Sequence, residues 1–260
     1  MSAQIHPTAI VDKNAKLGEN VSIGPYCIIA GEVEIGDNTE LKNNVLIDNF
    51  VKIGKNNKIF TGVIIGTQPQ DLKFGGEKTF VEIGDNNTIR EYVTINRGTG
   101  HGGKLTKIGN NNLLMAYSHI AHDCKIGSNI VLANVATLAG HVEIQDFSII
   151  GGLTAVHQFV RIGRYSIIGG MSRISKDIMP FSTVASKAKT KIFGVNKIGL
   201  MRHGFSAEDR LILHKAFKII LREGNNISQA LEILKRDYSE NKYVQELINF
   251  IETSKRGVSK

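Results

Sequence analysis

Residues 107–144 read KIGNNNLLMAYSHIAHDCKIGSNIVLANVATLAGHVEI, and from Ile108 every sixth residue, through Leu114, Ile120, Ile126, Leu132 and Leu138 to Ile144, is Ile or Leu. A helix repeats every 3.6 residues and a simple strand every two, so neither gives a period of six. A parallel β-helix does, because each flat face of a triangular coil takes one six-residue unit. Outward from this stretch the step continues through Ile150, Val156, Ile162 and Ile168 to Ile174. Upstream it runs unbroken from Ile5 to Ile65 and resumes at Ile83, Ile89 and Ile95. Four residues after each anchor stands a second small or apolar residue, such as Val21, Cys27, Val33, Cys124 or Ala136, with Asn57, Asn87 and Asn112 as polar exceptions. Both positions point inward, and the other four line corners or face out. Glycines that follow anchors (Gly18, Gly36, Gly54, Gly84, Gly109, Gly127) read as corner residues with φ > 0. Three units make one coil, so residues about 18 apart stack and distant positions become neighbours.

The expected fold is mainly β: a parallel β-helix over residues 1–186, with loop excursions at 67–80 and 97–106, followed by a small C-terminal α-helical domain over 187–260. The repeat ends at Ile178-Met179-Pro180. Beyond it, Leu213, Ala216, Phe217 and Ile220 form one apolar helical stripe; so do Ile227, Ala230, Leu231 and Leu234, and Val244, Leu247, Ile248 and Ile251. Ser206 reads as the cap of the first of these helices, and Gly224 as its end. No apolar run reaches the ~18 residues of a membrane span, and no signal peptide precedes Ile5. The two cysteines, Cys27 and Cys124, fall on inward positions, which suits reduced core thiols and a cytoplasmic compartment. Charge is unevenly divided: residues 187–260 carry 15 Lys+Arg against 8 Asp+Glu, while residues 1–186 carry 17 against 16. Such a tail suits docking of an acidic partner. No nucleic-acid-binding motif accompanies it.

Four histidines, His119, His122, His141 and His157, fall in the third run, none at an inward position. Stacking sets His122 beneath Gly140, and places the segment His119–Asp123 on one edge with His141, His157 and Gln158. Imidazoles aligned on a rigid frame suit a catalytic or ligand site. The first excursion adds Gln70, Asp71 and Lys73, side chains able to reach a sugar or phosphate.

The segments Gln70-Asp71-Leu72-Lys73, Ile120-Ala121-His122-Asp123-Cys124, Leu138-Ala139-Gly140-His141-Val142, His157-Gln158-Phe159 and Phe193-Gly194-Val195-Asn196, in this order and spacing, resemble those of UDP-N-acetylglucosamine acyltransferases. The resemblance covers nearly the whole chain. It implies a left-handed coil, a homotrimer, and no metal or cofactor. It also implies transfer of a 3-hydroxyacyl chain from acyl carrier protein to the glucosamine 3-position of UDP-N-acetylglucosamine, or of its 3-amino analogue, as the first step of lipid A synthesis. Carried over residue by residue, His122 would be the general base, Asp123 its orienting neighbour, and the Gly140 N–H the oxyanion donor. Gln70, Asp71, Lys73, His119, His141 and Gln158 would contact the sugar nucleotide or acyl chain, and His157 would support the site. Asn196 and Arg202 would handle the uridine diphosphate end from a neighbouring subunit. Ile198 departs from the family, which often carries a glutamate there, and Gly169-Gly170-Met171 lies where the acyl chain is measured.

Three other readings fit parts of the pattern. A γ-class carbonic anhydrase would use His119, His122 and His141 as zinc ligands. Another hexapeptide acyltransferase would use acetyl-CoA or a different sugar nucleotide, and a non-enzymatic solenoid would carry the histidines incidentally. The helical tail and the Gln70–Lys73 loop speak against the first, and the irregular outward positions against the last.

Overall fold

The computed structural model describes residues 2–186, 190–222 and 224–260. Among these residues short strands, one per face, wind into a three-sided prism whose faces are sheets of 11, 9 and 8 strands, parallel but for the last strand of the first. The chain is a left-handed parallel β-helix with C-terminal helices. Ile5 pairs with Ile23, Ile29 with Ile47 and Leu138 with Val156, each with the residue one regular coil further on. Across the two excursions the interval widens: Ile65 pairs with Ile95, and Ile95 with Ile120. The loops are thus inserted into coils while the ladder continues above and below, with one register shift between Ile65 and Thr67, where the first loop leaves. Thr67, Phe80, Leu105 and Thr106 belong to ladder strands, so the loops proper are residues 68–79 and 97–104.

The anchors from Ile23 to Ile174 are all at most 4% exposed. Full burial of one such side chain contributes about 1.5–3 kcal/mol, and stacking is what supplies it, because each coil is covered only by its neighbours. Ile5, with no coil beneath it, is 46% exposed. The three inward asparagines form a buried ladder. Asn87 Nδ2 donates to Asn57 Oδ1 (3.0 Å) and to the Gly109 carbonyl (3.0 Å), and Asn87 Oδ1 accepts the Asn112 N–H (2.9 Å). Both cysteines are buried and unbridged, and burial pushes the Cys124 thiol up to about 12.

The corners overturn the glycine reading. The left-handed residue lies three after the anchor and is rarely glycine: Asn20, Asn38, Asn56, Asn86, Tyr117, Asp123 and His141 all have φ near +60°. The glycine one after the anchor answers a different need, close approach between coils. A Cβ on Gly36 would stand 2.7 Å from the Gly54 carbonyl carbon, and one on Gly109 2.6 Å from the Gly127 oxygen.

The sheet runs past the expected domain boundary. Thr190–Val195 folds back antiparallel onto Ser182–Ser186, extending the 11-stranded sheet; residues 187–189 lie outside the described residues. Among the described residues four helices follow: α1 (Lys197–Arg202), α2 (Ala207–Arg222), α3 (Ile227–Asp237) and α4 (Lys242–Glu252). Ser206 Oγ accepts the Asp209 N–H (3.0 Å) at the start of α2, as its sequence requires. Phe181, Phe205 and Tyr243 join the helices to the last coils through edge-to-face and tilted ring contacts.

Candidate active site

One corner of the prism, between the 9- and 8-stranded sheets, carries His122, Asp123, His141, Gln158 and Phe159. Both inserted loops lean over it. They enclose a cleft of about 730 Å³ lined by Gln70, Asp71, Lys73, His101, His122 and His141, with Leu72, Gly102, Gln158 and Phe159 completing the wall.

Asp123 lies at the base. Its side chain is fully buried, and a buried carboxylate needs hydrogen-bond donors. Thr99, from the second loop, supplies two: its N–H reaches Oδ1 at 3.0 Å, and its hydroxyl reaches Oδ2 at 2.7 Å. The third donor is His122 Nδ1, 2.8 Å from Oδ2. Burial pushes the carboxyl up, but the hydrogen bonds from His122 and Thr99 outweigh it and hold Asp123 below the usual carboxylate range. An ionised carboxylate only accepts, so His122 Nδ1 carries a proton, and in the neutral imidazole Nε2 is the nitrogen with a free lone pair.

The His122 ring lies close against Gly140. A Cβ at 140 would stand 2.5 Å from Cε1 and 2.7 Å from Nε2, so only glycine admits the imidazole there. Among the described residues the Gly140 N–H has no hydrogen-bond partner, although its neighbours Ala139 and His141 donate to Val156 and His122 carbonyls. The site therefore sets a buried carboxylate, an imidazole and an unpaired backbone N–H side by side.

His141 stands edge-on to His122 (ring centroids 5.1 Å apart) and stacks on Phe159 (4.3 Å). Burial, opposed by the charge of Asp123, holds its pKa below the ordinary histidine value. His119 does not line the cleft. Its Nδ1 shares a 2.7 Å hydrogen bond with Thr94 Oγ1, one coil below, and burial together with the charge of His122 lowers its pKa. His157 is exposed, with Nδ1 3.2 Å from the Gln158 carbonyl oxygen. Asn196 and Arg202 are also outside the cleft of the single chain. Asn196 caps α1 by accepting the Gly199 N–H (3.0 Å) and donates to the Tyr165 carbonyl (2.9 Å), while Arg202 is exposed in the last turn of α1. The zinc triad His119, His122 and His141 does not converge. The group with metal-ligand spacing among the described residues is His122, Asp123 and His141, and its Asp123 oxygens already hold Thr99 and His122.

Two participants escaped the sequence. Thr99 and His101 lie in the glycine-rich loop, where the regular stacking interval does not apply. The wider interval that pairs Ile95 with Ile120 sets residue 98 beside Asp123, and Gly98 is indeed there, its would-be Cβ 2.9 Å from Oδ1.

Residues 177–259 match the family model described as UDP-N-acetylglucosamine O-acyltransferase, domain 2, and residues 14–49 and 105–140 match bacterial transferase hexapeptide repeats. The chain is 59% identical over 256 residues to the acyl-[acyl-carrier-protein]–UDP-N-acetylglucosamine O-acyltransferase of Sulfurihydrogenibium sp., covering 98% of this chain and 94% of that one. It is 60% identical over 246 residues to the enzyme of that name from Chlorobaculum tepidum, covering 95% and 93%. The solved UDP-N-acetylglucosamine acyltransferase of Bacteroides fragilis superposes with a TM-score of 0.96 at 43% identity, covering 99% of this chain and all of that one. That of Francisella novicida gives 0.96 at 41%, covering 98% and 94%. The likeness holds from the first coils to the C-terminal helices, and the corner that joins His122 to Asp123 and Gly140 lies within it, so the chain belongs to the UDP-N-acetylglucosamine O-acyltransferase family.

Proposed function

We propose that this protein transfers a 3-hydroxyacyl chain from acyl carrier protein to the 3-hydroxyl of UDP-N-acetylglucosamine, the opening step of lipid A synthesis. The names of its relatives support the substrates. The observation that carries the chemistry is the His122 imidazole, held through Nδ1 by a buried carboxylate and lying on a glycine with an unpaired N–H.

The steps follow from that geometry. A sugar hydroxyl is a weak nucleophile until its proton is taken. His122 Nε2 takes it as the oxygen attacks the thioester carbonyl, and Asp123 stabilises the imidazolium that results. Such base catalysis supplies roughly 10²–10⁴-fold. The carbonyl oxygen becomes an oxyanion, for which the Gly140 N–H is the donor at hand, worth on the order of 10²–10³-fold. Collapse breaks the carbon–sulfur bond, and the imidazolium returns its proton to the departing thiolate. No metal or cofactor takes part. Gln70, Asp71, Lys73, His141 and Gln158 line the cleft and are assigned to the sugar nucleotide, with Leu72 and Phe159 as apolar contacts for the acyl chain. His119 and His157 act from outside the wall, as supports.

The assembly is proposed to be a homotrimer in the cytoplasm. The corner between the 11- and 9-stranded sheets exposes a column of apolar side chains, Tyr92, Tyr117, Leu153 and Met171, a pattern that marks a contact surface. Asn196 and Arg202 are assigned to the cleft of a neighbouring subunit in that assembly. The basic tail suits the acidic carrier. No described helix is long and apolar enough to cross a membrane.

The test is acyl transfer by purified protein from 3-hydroxyacyl carriers of several chain lengths, to UDP-N-acetylglucosamine and to its 3-amino analogue, with His122→Ala as reference. We expect transfer to the hydroxyl acceptor and loss by orders of magnitude in the variant. Transfer from acetyl-CoA alone, or near-full turnover without the imidazole, would overturn the reading.

A further inference from the structure

The second loop is an unusual wall for a binding cleft. Between Arg97 and Lys104 it has only two side chains larger than hydrogen, Thr99 and His101, the rest being Gly98, Gly100, Gly102 and Gly103. Glycine-rich backbone costs the most conformational entropy to hold in one shape, so the loop depends on its tethers. Thr99 is buried and bound to Asp123, fixing the inner end. His101 points the other way, into the cleft, where Nε2 lies 3.2 Å from Asp71 Oδ2 on the opposite loop. Its ring also stands 6.3 Å from that of His141.

Asp71 is thereby held from both sides. Its Oδ1 accepts the Lys73 N–H at 3.0 Å within its own loop, and its Oδ2 faces His101 across the cleft. A free aspartate on an exposed loop samples several rotamers, and each one lost on binding weakens the ligand's hold. We infer that His101 is a positioning residue. It ties the two loops together and presets the Asp71 carboxylate for the sugar nucleotide, resting on the reading above that Asp71 is a sugar-nucleotide contact. His101 needs no contact with the reacting atoms for this, so its effect falls on acceptor affinity and not on the chemical step.

The size of the effect follows from the exposure of the pair. His101 is about half exposed, and such pairs are worth at most ~1 kcal/mol, or about fivefold in an equilibrium constant. The experiment measures kcat and the KM for UDP-N-acetylglucosamine, at saturating 3-hydroxyacyl carrier, in wild type, His101→Ala, His101→Gln, Asp71→Ala and the His101→Ala/Asp71→Ala double variant. Melting curves accompany each, to show that the fold is kept. The expected result is a roughly three- to fivefold rise in KM for His101→Ala with kcat within twofold. His101→Gln, which keeps a donor of similar reach, should restore most of the affinity, and the double variant should be no worse than Asp71→Ala. A silent His101→Ala beside an impaired Asp71→Ala would overturn the positioning role alone, as would an effect of His101→Ala that persists undiminished once Asp71 is gone. A silent Asp71→Ala would overturn both the positioning role and the assignment of Asp71 to the acceptor.

Discussion

Replacing Gly140 by alanine isolates the contact on which the proposed chemistry depends, because it leaves every titratable group and the Gly140 N–H in place. Gly140 is not in the left-handed region, so alanine meets no backbone strain, and the unfolded chain's lost freedom favours it by about 0.4–1 kcal/mol. The methyl itself has no room. It would stand 2.5 Å from His122 Cε1 and 2.7 Å from Nε2, whereas carbon atoms prefer a separation of ~3.5 Å or more. The ring must retreat by about 1 Å to restore that separation, yet it is tied by 2.8 Å to a carboxylate that Thr99 holds in turn. Crowding of this kind costs roughly 1–3 kcal/mol of stability, partly offset by the backbone gain, so the fold survives. Activity does not escape so lightly, since a misplacement of about 1 Å in a reacting group costs on the order of 10²-fold, or about 2.7 kcal/mol of transition-state stabilisation. The assay is kcat/KM with 3-hydroxyacyl carrier and UDP-N-acetylglucosamine, for Gly140→Ala alone and in a His122→Ala background. We expect a fall near a hundredfold in the first and little further loss in the second, because the methyl then has no ring to displace. Full activity in the single variant, or an equal penalty in both backgrounds, would refute the ring as the injured part.

Thr99→Val keeps the shape of the side chain but removes the hydroxyl donor to a buried carboxylate, so it should cost about 1.5–3 kcal/mol in denaturant unfolding and lower kcat as Asp123 loses its fixed direction. Asn87→Val should destabilise by more than about 2 kcal/mol in the same measurement, because it takes partners from the Gly109 carbonyl and the Asn112 N–H in the buried core, and one of two donors from Asn57 Oδ1. For His119 and His141 the folded pKa lies below the unfolded value of about 6.5. The unfolded chain therefore binds protons that the fold resists, and stability is whole above about pH 6.5 and declines as pH falls below it. A double His119→Gln/His141→Gln variant should flatten the melting temperature between pH 8 and 5, and curves parallel to wild type would contradict the assignment.

The fold was legible because a period of six has few structural meanings, and the anchors Ile23 to Ile174 obey it without a polar lapse. His122 and Gly140 could be set together for the same reason, since they lie in an uninterrupted stretch where every coil has the same length. The reading failed where the chain leaves that rule. Thr99 and His101 sit in an insertion whose length widens the interval, so that Ile95 meets Ile120, and no periodicity announces which glycine-loop residue meets Asp123. His119 was grouped with the cleft by its neighbourhood in sequence. It lies before Ile120 on a strand and His122 after it on a corner, so only His122 is in the wall of the cleft.

The corners explain why the chemistry is where it is. At these corners the backbone N–H two residues after an anchor finds no carbonyl in the ladder. On the corner lined by Asn111 and Asn129, a side chain from the next coil takes it: Ser128 Oγ accepts the Asn110 N–H (3.0 Å), and Asp146 Oδ1 accepts the Ser128 N–H (2.7 Å). The equivalent cap for the His122 N–H would come from residue 140, which is glycine and has no side chain. The space that a cap would fill is occupied instead by the His122 ring. Above it, Gln158 leaves the Gly140 N–H uncapped as well. A single missing side chain thus admits the base at a corner where backbone donors stay free. The inserted loop then provides what a bare coil lacks, a cover over Asp123. Gly102 comes so near that a Cβ there would stand 2.2 Å from Oδ2, which is why that cover is made of glycine.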